Sequence, residues 1–526
     1  MAKRVWLFFT VLTLAAGTAA AQDALSVLRT ASVALGGSNL KTIQFTANGR
    51  MNIVGQSYSP DSDWPATRLN SYTRTIDYEA GTSQEELVRS QGNFTLRGGG
   101  AGFPIEGEQR QTLLLSGKYA WAMQGNNANP QPAAADERQL SVILTPHGFL
   151  KAALAANPTA MPRMVRGDDE VTGGCCRSVT VVSFTALGKY RINGVINGKN
   201  EVENVQTWIP NPVLGDMVYE IEFNDYKDFG GVKFPTNFHE HHGDNRLNNG
   251  HNSMDITITD VKANVPVAAL TVPDNVRQAA IPPVRVEAEQ LAPGVWRMAG
   301  GSHHSIAVEF QDYVAVIEAP LNEERSLAVI AEIGRRIPNK PIRYVINTHH
   351  HFDHSGGVRT YVAQGAWLIT HAANHEFFET VALSPAPRTL EPDLFSKFPR
   401  LGPWRPFIID VGTSYRPEEG GTYVLSDGKR SVELYHVPGL NHNNGMLVAY
   451  FRNEKILVTA DIWSPLAPGR QPPTANQNSV TLYNTIKRLK LDVDRIVGIH
   501  GGIDPMSHFE SVVGPVAAQQ RAGGGN

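Results

Sequence analysis

The residues best suited to chemistry are concentrated in one stretch, Thr348 to Gly357, with the sequence THHHFDHSGG. It contains four histidines and one aspartate, and it follows the apolar run Ile342 to Ile346, which predicts a strand. Imidazole nitrogen combined with carboxylate oxygen is the ligand mixture that zinc favours, although iron and manganese also accept it. A histidine-rich tract can be incidental surface. This one is internal and lies between a predicted strand and a predicted helix, so it indicates a metal site.

The spacing within this stretch divides the candidate ligands into two sets. In a continuing strand, alternation directs His349 and His351 to one side and His350 away from them. Asp353 and His354 follow where the strand gives way to a turn and a helix. We therefore expect His349 and His351 to bind one ion, Asp353 and His354 to bind a second ion beside it, and His350 to be a supporting or core residue.

The pattern His-x-His-x-Asp-His at the end of a strand resembles the signature of the metallo-β-lactamase superfamily. That resemblance implies three more ligands in chain order: a histidine after a later strand, a bridging carboxylate after the next strand, and a histidine near the C-terminus. The sequence has His442, Asp461 and His500 at the ends of predicted strands in this order. The similarity covers about Val284 to the C-terminus and implies an αββα sandwich there.

The resemblance also implies two Zn²⁺ ions per chain. The implied ligands are His349, His351 and His442 for the first ion, Asp353, His354 and His500 for the second, and Asp461 as the bridge. Two cations roughly 3.5 to 4 Å apart can turn a shared water into a nucleophile. Asp353 is the implied catalytic residue, which orients that nucleophile and carries its proton to the leaving group. A purely structural site is disfavoured, because structural zinc prefers cysteine-rich sites and no cysteine lies in this half.

The implied site also bears on the substrate. An aspartate at position 461 resembles the glyoxalase II, lactonase and phosphodiesterase branches, whereas β-lactamases of the superfamily commonly have cysteine or serine there. We predict hydrolysis of an ester, lactone, amide or thioester in a small or lipidic molecule, with β-lactamase or phosphodiesterase activity as alternatives. Asn443 replaces the usual threonine or serine. His303 and His304 lie in a turn where family members have a loop that faces the metals. Two roles are possible for them: contact with the substrate, or exposure to solvent in the loop.

Length and composition limit the remaining possibilities. A chain of 526 residues should contain two or more domains, since single cores stop growing at about 250 to 300 residues. Its hydrophobic content of 41% and charged content of 18% are typical of a globular protein. The formal net charge of −3 gives no general attraction to nucleic acid or to an anionic membrane. The sequence does not indicate an oligomeric state.

The first 21 residues have the pattern of a cleavable export signal. Lys3 and Arg4 precede an apolar segment, Val5 to Ala16, that is short for a membrane span, and Ala19 to Ala21 form a small-residue cleavage site. We therefore predict cleavage after Ala21, a periplasmic or secreted product, and no integral membrane span in the mature chain.

Residues 22–280 predict a mainly antiparallel β domain, because short apolar runs alternate with Gly, Asn, Asp and Pro. The pattern resembles the half-barrel of bacterial lipoprotein carriers, and Pro146 to Ala156 predicts a helix capped by Thr145. Such a concave sheet suggests an alternative function, a periplasmic hydrophobic-ligand-binding protein with a vestigial metal site. Four histidines here lack a carboxylate at ligand spacing and are expected at the surface: His239, His241, His242 and His251.

The segment Ala279 to Val284 contains two consecutive prolines and predicts a linker to a catalytic domain over 284–526. The whole chain is therefore expected to be α+β, with an αββα sandwich preceded by the β domain. The only two cysteines, Cys175 and Cys176, are adjacent, so they cannot provide a disulfide framework and are expected to be buried or idle thiols. The long, proline-rich connection from Phe378 to Val411 is typical of a lid or a substrate wall.

Overall fold

The structure is a computed structural model. It describes residues 23–100, 103–166, 176–243, 250–384, 387–397, 407–413, 420–465 and 474–523. The predicted signal peptide, Cys175 and parts of the predicted lid over 378–411 lie outside these residues. Cys176 is an exposed free thiol at the start of a strand.

One antiparallel sheet of 13 strands makes up most of the N-terminal half. Numbered along the chain, its strands are β1 Thr42–Asn52, β2 Ala66–Asp77, β3 Thr82–Ser90, β4 Glu108–Ser116, β5 Tyr119–Gln124, β6 Asn127–Pro130, β7 Thr159–Arg166, β8 Cys176–Ala186, β9 Tyr190–Ile196, β10 Val202–Asn211, β11 Gly215–Asp228, β12 Lys233–His242 and β13 His251–Ala263. The first and last strands pair at the middle of the sheet, so the spatial order is 6-5-4-3-2-1-13-12-11-10-9-8-7. The predicted antiparallel β domain is confirmed.

Helices cover the apolar face of this sheet. They are α1 over residues 23–34, α2 Ala135–Ile143 and α3 Pro146–Leu154, with 3₁₀ turns at Gly37–Asn39 and Pro132–Ala134. As predicted, Thr145 caps α3, accepting a 3.2 Å hydrogen bond from the backbone N–H of Gly148. Phe149 of α3 lies so close to β9 that a Cβ atom added to Gly194 would be 2.2 Å from its ring. Part of the concave face is therefore filled by the protein's own helices, and the resemblance to lipoprotein carriers stays a prediction.

The C-terminal half contains two further sheets. The seven-stranded sheet consists, in spatial order, of β14 Glu287–Ala292, β15 Val295–Ala299, β16 Ser305–Glu309, β17 Val314–Ile317, β18 Ile342–Ile346, β19 Trp367–His371 and β20 Ile408–Val411. The six-stranded sheet consists of β21 Thr422–Ser426, β22 Ser431–His436, β23 Leu447–Phe451, β24 Ile456–Thr459, β25 Arg495–Gly498 and β26 Ile503–Pro505. Apolar side chains from both sheets, such as Ile317, Ile346 and Val458, form one fully buried core between them.

Helices pack on the outer faces of these two sheets. The C-terminal helices are α5 Glu323–Arg336, α6 Phe352–Ser355, α7 Val358–Ala363, α8 Leu394–Lys397, α9 Gln477–Leu489 and α10 Met506–Gly523, with α4 Asp274–Arg277 before the first sheet, a 3₁₀ turn at Ala372–Asn374 and a π-helix at Phe377–Ala382. Helix α5 begins after Asn322, whose side chain accepts a 3.0 Å hydrogen bond from the Arg325 N–H. Helix α9 begins with a capping box between Asn476 and Ser479. The predicted αββα sandwich, and with it the α+β class, is confirmed.

The two halves share a core and polar contacts. One cluster of buried side chains extends from Phe45 in the N-terminal sheet to Val316 in the seven-stranded sheet. The guanidinium of Arg388 donates hydrogen bonds to the carbonyls of Asn211 and Val213, at 3.2 and 2.7 Å. The predicted division of the chain at residues 279–284 therefore stays a prediction. No helix in the described ranges has both the length and the apolar character needed to cross a membrane.

Candidate metal centre

The histidine motif begins directly after β18, although not as a continuation of it. The strand ends at Ile346, and residues 347–351 are a loop before helix α6. Strand alternation therefore does not orient His349 and His351, contrary to the expectation from sequence. The loop nevertheless brings both side chains to the same place, with ring centroids 4.5 Å apart. Both are fully buried.

The first group of candidate ligands is His349, His351, His442 and Asp461, whose donor atoms all lie within 4.8 Å of one another. The Nε2 atoms of His349 and His442 are 3.2 Å apart, and each lies 3.2 Å from Oδ2 of Asp461. His442 is delivered by the loop after β22, and Asp461 by the turn after β24. The backbone of Asp461 has a φ of 55°, a left-handed conformation that aspartate tolerates better than most residues.

The second group is His303, Asp353, His354 and His500. The Nε2 atoms of His354 and His500 are 3.1 Å apart, and Asp461 reaches both, with its Oδ2 at 2.9 Å from His354 and its Oδ1 at 2.9 Å from His500. His500 follows β25. All seven predicted ligands therefore lie in two adjoining groups, and Asp461 lies between the groups, as a bridging carboxylate would.

The side chains fit a pair of bound cations. Donor atoms on one tetrahedral zinc, each about 2.0 to 2.1 Å from it, are roughly 3.3 Å apart, close to the 3.2 Å separation of the His349 and His442 nitrogens. Nδ1 of His351 is buried and has no hydrogen-bond partner among the residues that the structure describes. Converging nitrogen lone pairs and a buried nitrogen without a hydrogen-bond partner are costly unless a positive group lies between them. A bound cation would be that group, so the geometry of these residues fits metal binding.

The electrostatics of the site suit cation binding. Burial lowers the pKa of His349 and of His351 well below the usual value, and neighbouring histidines lower both further, so these rings are neutral, the form that binds a metal. Burial opposes ionisation of Asp461, but His354 and His442 hold its pKa well below the usual range. Burial also opposes protonation of His354, yet the carboxylates of Asp461 and Asp353 raise its pKa. The carboxylates of Asp461 and Asp353 are therefore ionised, and His354 offsets only part of their negative charge, which leaves net negative charge for a bound cation to neutralise.

Two supporting residues were not identified from sequence. Glu318, fully buried after β17, accepts hydrogen bonds from Nδ1 of His354 at 2.5 Å and from the Thr348 N–H at 2.7 Å. Glu318 follows a buried strand, as the predicted ligands do, but the sequence around it contains no motif. The other, Gln56 of the N-terminal domain, donates its Nε2–H to Oδ1 of Asp353 at 2.8 Å.

The remaining histidines have varied environments. His303 is buried at the site, with its Nε2 3.1 Å from Oδ2 of Asp353, so it is not a solvated loop residue. His304 is also buried, and its Nε2 hydrogen-bonds the Gly501 carbonyl at 3.0 Å. His350 accepts a 2.9 Å hydrogen bond at Nδ1 from Asn443, so Asn443 supports the motif although threonine or serine was expected.

The N-terminal histidine cluster differs partly from the expectation. His242 is buried and stacks on Tyr219, whereas His239 and His241 are partly exposed. His241 lies near Glu220 and Glu222 in a group that could hold an ion, so carboxylates that are distant in sequence do approach it across paired strands.

Comparison with known proteins identifies the C-terminal region. Residues 298–500 match a family model, Lactamase_B, described as the metallo-beta-lactamase superfamily. This region is a metallo-beta-lactamase superfamily domain. The resemblance inferred from the motif is confirmed for this half, and all seven predicted ligands lie within the matched residues. No curated protein matches the chain significantly.

Solved metallo-beta-lactamases are similar to part of the chain. One from Pontibacter korlensis is 16% identical, with a TM-score of 0.32, over 44% of this chain and 98% of its own. FIM-1 from Pseudomonas aeruginosa, in its mono-zinc form, is 17% identical, with a TM-score of 0.31, over 45% of this chain and 96% of its own. One from Hirschia baltica is 17% identical, with a TM-score of 0.30, over 43% of this chain and 96% of its own.

Proposed function

We propose that this chain is an exported, zinc-dependent hydrolase with two metal ions, acting on an ester, lactone, amide or thioester in a small or lipidic molecule. The observation that carries the proposal is the position of Asp461, whose two oxygens lie 2.9 Å from the Nε2 atoms of His354 and His500 while Oδ2 also lies 3.2 Å from those of His349 and His442. One carboxylate shared by two ligand groups is what a two-ion site requires. Export is proposed from the signal pattern of residues 1–21.

The bound ions would supply a water of lowered pKa as the nucleophile and would offset charge on the substrate oxygen. Among the chain's own residues, Asp353 is held for proton transfer. Its Oδ1 accepts a hydrogen bond from Gln56, and its Oδ2 lies 3.1 Å from Nε2 of His303. Burial raises the pKa of Asp353, but His354 and the hydrogen bond to His303 lower it further than burial raises it, so the carboxylate is ionised and able to accept a proton.

The residue at position 461 supports an acyl substrate other than a β-lactam, because an aspartate there resembles the glyoxalase II, lactonase and phosphodiesterase branches and not the β-lactamases. Oδ2 of Asp461 contacts His354, and Oδ1 contacts His500. Cysteine or serine has a single side-chain donor atom and could not provide this arrangement. We therefore propose a general acyl hydrolase, and the identity of the acyl group is left to experiment.

The test is a panel of chromogenic substrates: a nitrophenyl ester, a lactone, a thioester, an amide, nitrocefin and a phosphodiester. The mature, zinc-loaded chain should hydrolyse at least one of the four carbonyl substrates faster than nitrocefin or the phosphodiester. His442→Ala should abolish that turnover, whereas His375→Ala should not, because His375 is partly exposed and pairs with Asp410 away from the cluster. Absence of turnover on the whole panel, or equal turnover by His442→Ala, would contradict the proposal.

A further inference from the structure

A short segment of the N-terminal domain hydrogen-bonds to the metal motif. We call residues 53–58, which follow β1, the strap. Two backbone hydrogen bonds join the strap to the C-terminal domain. The Phe352 N–H donates to the Gly55 carbonyl at 3.1 Å, and the Asn444 N–H donates to the Tyr58 carbonyl at 3.0 Å. The strap therefore bridges the loop that holds His351 and the loop that holds His442.

The strap determines which nitrogen of His351 faces the candidate metal. Nε2 of His351 lies 2.8 Å from the carbonyl oxygen of Ser57. A carbonyl only accepts hydrogen bonds, so Nε2 must carry the hydrogen, and Nδ1 must present its lone pair. Within the described part of the chain, Nδ1 is buried without a hydrogen-bond partner, and His351 belongs to the first ligand group. A main-chain carbonyl of the N-terminal domain thus fixes the tautomer and the orientation of a ligand in the other domain.

The strap also contacts the neighbouring residues of the motif. Asn443 donates to Nδ1 of His350, so the Nε2–H of His350 is left to donate to Oγ of Ser57, 3.0 Å away. Gln56 donates to Oδ1 of Asp353 at 2.8 Å. Three consecutive strap residues, Gly55 to Ser57, therefore hydrogen-bond to four motif residues: His350, His351, Phe352 and Asp353.

Residues 98–100 of the N-terminal domain pack against the strap. The Gly99 N–H donates to the Gln56 carbonyl at 2.8 Å, and the Gly98 N–H donates to the Asn441 carbonyl at 2.8 Å. Gln56 is buried, and a Cβ atom added to Gly100 would be 2.7 Å from its side-chain oxygen. Trp64, also buried, lies edge-on to the ring of Phe352, with centroids 6.3 Å apart. Gln56 therefore has a fixed position from which to hold Asp353.

We propose that the strap is a working part of the metal centre and that Gln56 is a positioning residue, which holds the Asp353 carboxylate in the orientation needed to bind metal. This inference rests on the proposed metal-binding function. It implies that residues 284–526 on their own would retain metal less well than the full chain, even if the predicted linker at 279–284 lets that segment fold by itself. The hydrogen bond to Oδ1 of Asp353 and the hydrogen bond made by Nε2 of His351 both involve residues outside that segment.

The test uses the full mature chain with two variants of Gln56. Gln56→Leu removes the hydrogen-bond donor, and Gln56→Asn keeps it on a shorter side chain. Gln44→Leu is the control. Gln44 lies in β1 of the same domain and donates to Thr75, away from the site. Release of zinc to a chromogenic chelator gives metal affinity without any substrate, and the visible spectrum of the cobalt-loaded chain reports ligand geometry. The melting temperature of the metal-free chain shows whether each variant is folded.

We expect both Gln56 variants to lose about 10- to 100-fold in affinity for the more weakly held ion and to alter the cobalt spectrum. The melting temperature of the metal-free chain should stay at the wild-type value, and Gln44→Leu should behave as wild type. Wild-type affinity and an unchanged spectrum in folded Gln56 variants would overturn the inference and leave the proposed function intact. A wild-type chain that takes up no metal would overturn the proposed function itself.

Discussion

Gln56 and Asp353 are 297 positions apart in sequence, and their side chains are joined by a 2.8 Å hydrogen bond in which the amide donates to the carboxylate. The remaining Asp353 oxygen faces Nε2 of His303 at 3.1 Å. Both oxygens of this candidate proton carrier are thus oriented by side chains that are outside the histidine motif, one from each half of the chain.

Asp353→Asn should lower turnover by at least about 100-fold, because the amide cannot accept the proton that the carboxylate accepts. Metal content should fall less, since the first ion's ligands are unchanged. Turnover per bound metal ion is the quantity to measure. Asp410→Asn is the control, because Asp410 is a partly exposed aspartate that pairs with His375. Unchanged turnover in Asp353→Asn would remove this residue from the chemistry.

Glu318→Gln should weaken zinc binding by about 10- to 100-fold, the usual cost of losing the partner of a ligating histidine. Glu318 is fully buried and accepts a hydrogen bond from Nδ1 of His354. The neutral glutamine amide removes the negative charge beside that ring and holds the ring less firmly in one orientation. Chelator competition measures the affinity. Glu309→Gln, which loses only a surface ion pair with Lys340, should bind zinc as wild type does. Equal affinities for the two variants would argue against a supporting role for Glu318.

Gly55→Ala should both destabilise the fold and accelerate metal release. Gly55 has a φ of 75°, and a Cβ atom there would be 2.4 Å from the Phe352 ring. Gly81→Ala is the matched control, because Gly81 has a φ of 65° but nothing within 4 Å of an added Cβ. Backbone strain alone costs about 1 to 2 kcal/mol, so Gly81→Ala should lose about that much stability and Gly55→Ala should lose more, because its Cβ atom also clashes with Phe352. Only Gly55→Ala should also release zinc faster, and equal release rates would contradict this.

Glu240→Gln should stabilise the chain at alkaline pH and leave it unchanged at acid pH. Burial raises the pKa of Glu240 from 4.5 to about 7, with smaller contributions from Glu137 and Glu85, while hydrogen bonds from Ser253 and Tyr219 lower it. The folded state therefore holds a proton that the unfolded state has lost between these two values, so wild-type stability falls as pH rises through that window.

The amide at position 240 cannot ionise, so the stability gained by the variant should grow between pH 4.5 and about pH 7 and then level off at about 3 kcal/mol. Burial lowers the pKa of neighbouring His242 to about 4, and that effect is common to both proteins. Thermal unfolding of the variant and the wild type across this pH range provides the measurement. A difference in stability that does not change with pH would show that Glu240 does not titrate in this range.

The sequence predicted those parts of the structure whose signals are local. Strand β18 over Ile342–Ile346 and helix α3, with its Thr145 cap, occur where the apolar run and the capping residue predict them. The candidate ligands from His349 to His500 follow one another in chain order after predicted strands, so a motif and an expected order select residues that the structure brings together.

The contacts missed from sequence depend on long-range packing. Ser57 acts through its main-chain carbonyl, and its bond to His351 spans 294 positions, so no residue type at position 57 could have predicted it. Glu318 is 36 positions from His354, and only the parallel pairing of β17 with β18 brings the ends of these strands together. The burial of His303 likewise depends on the fold around it and not on its own loop.

The measurement that tests the account most directly is the metal content of the purified, metal-replete mature chain by elemental analysis. The two ligand groups joined by Asp461 predict two transition-metal ions per chain in the wild type. His500→Ala removes a ligand from the second group alone and should reduce the content to one tightly bound ion. Its control, His375→Ala, should retain two. No more than one tightly bound ion in the wild type, or two in the His500→Ala variant, would contradict the two-ion centre.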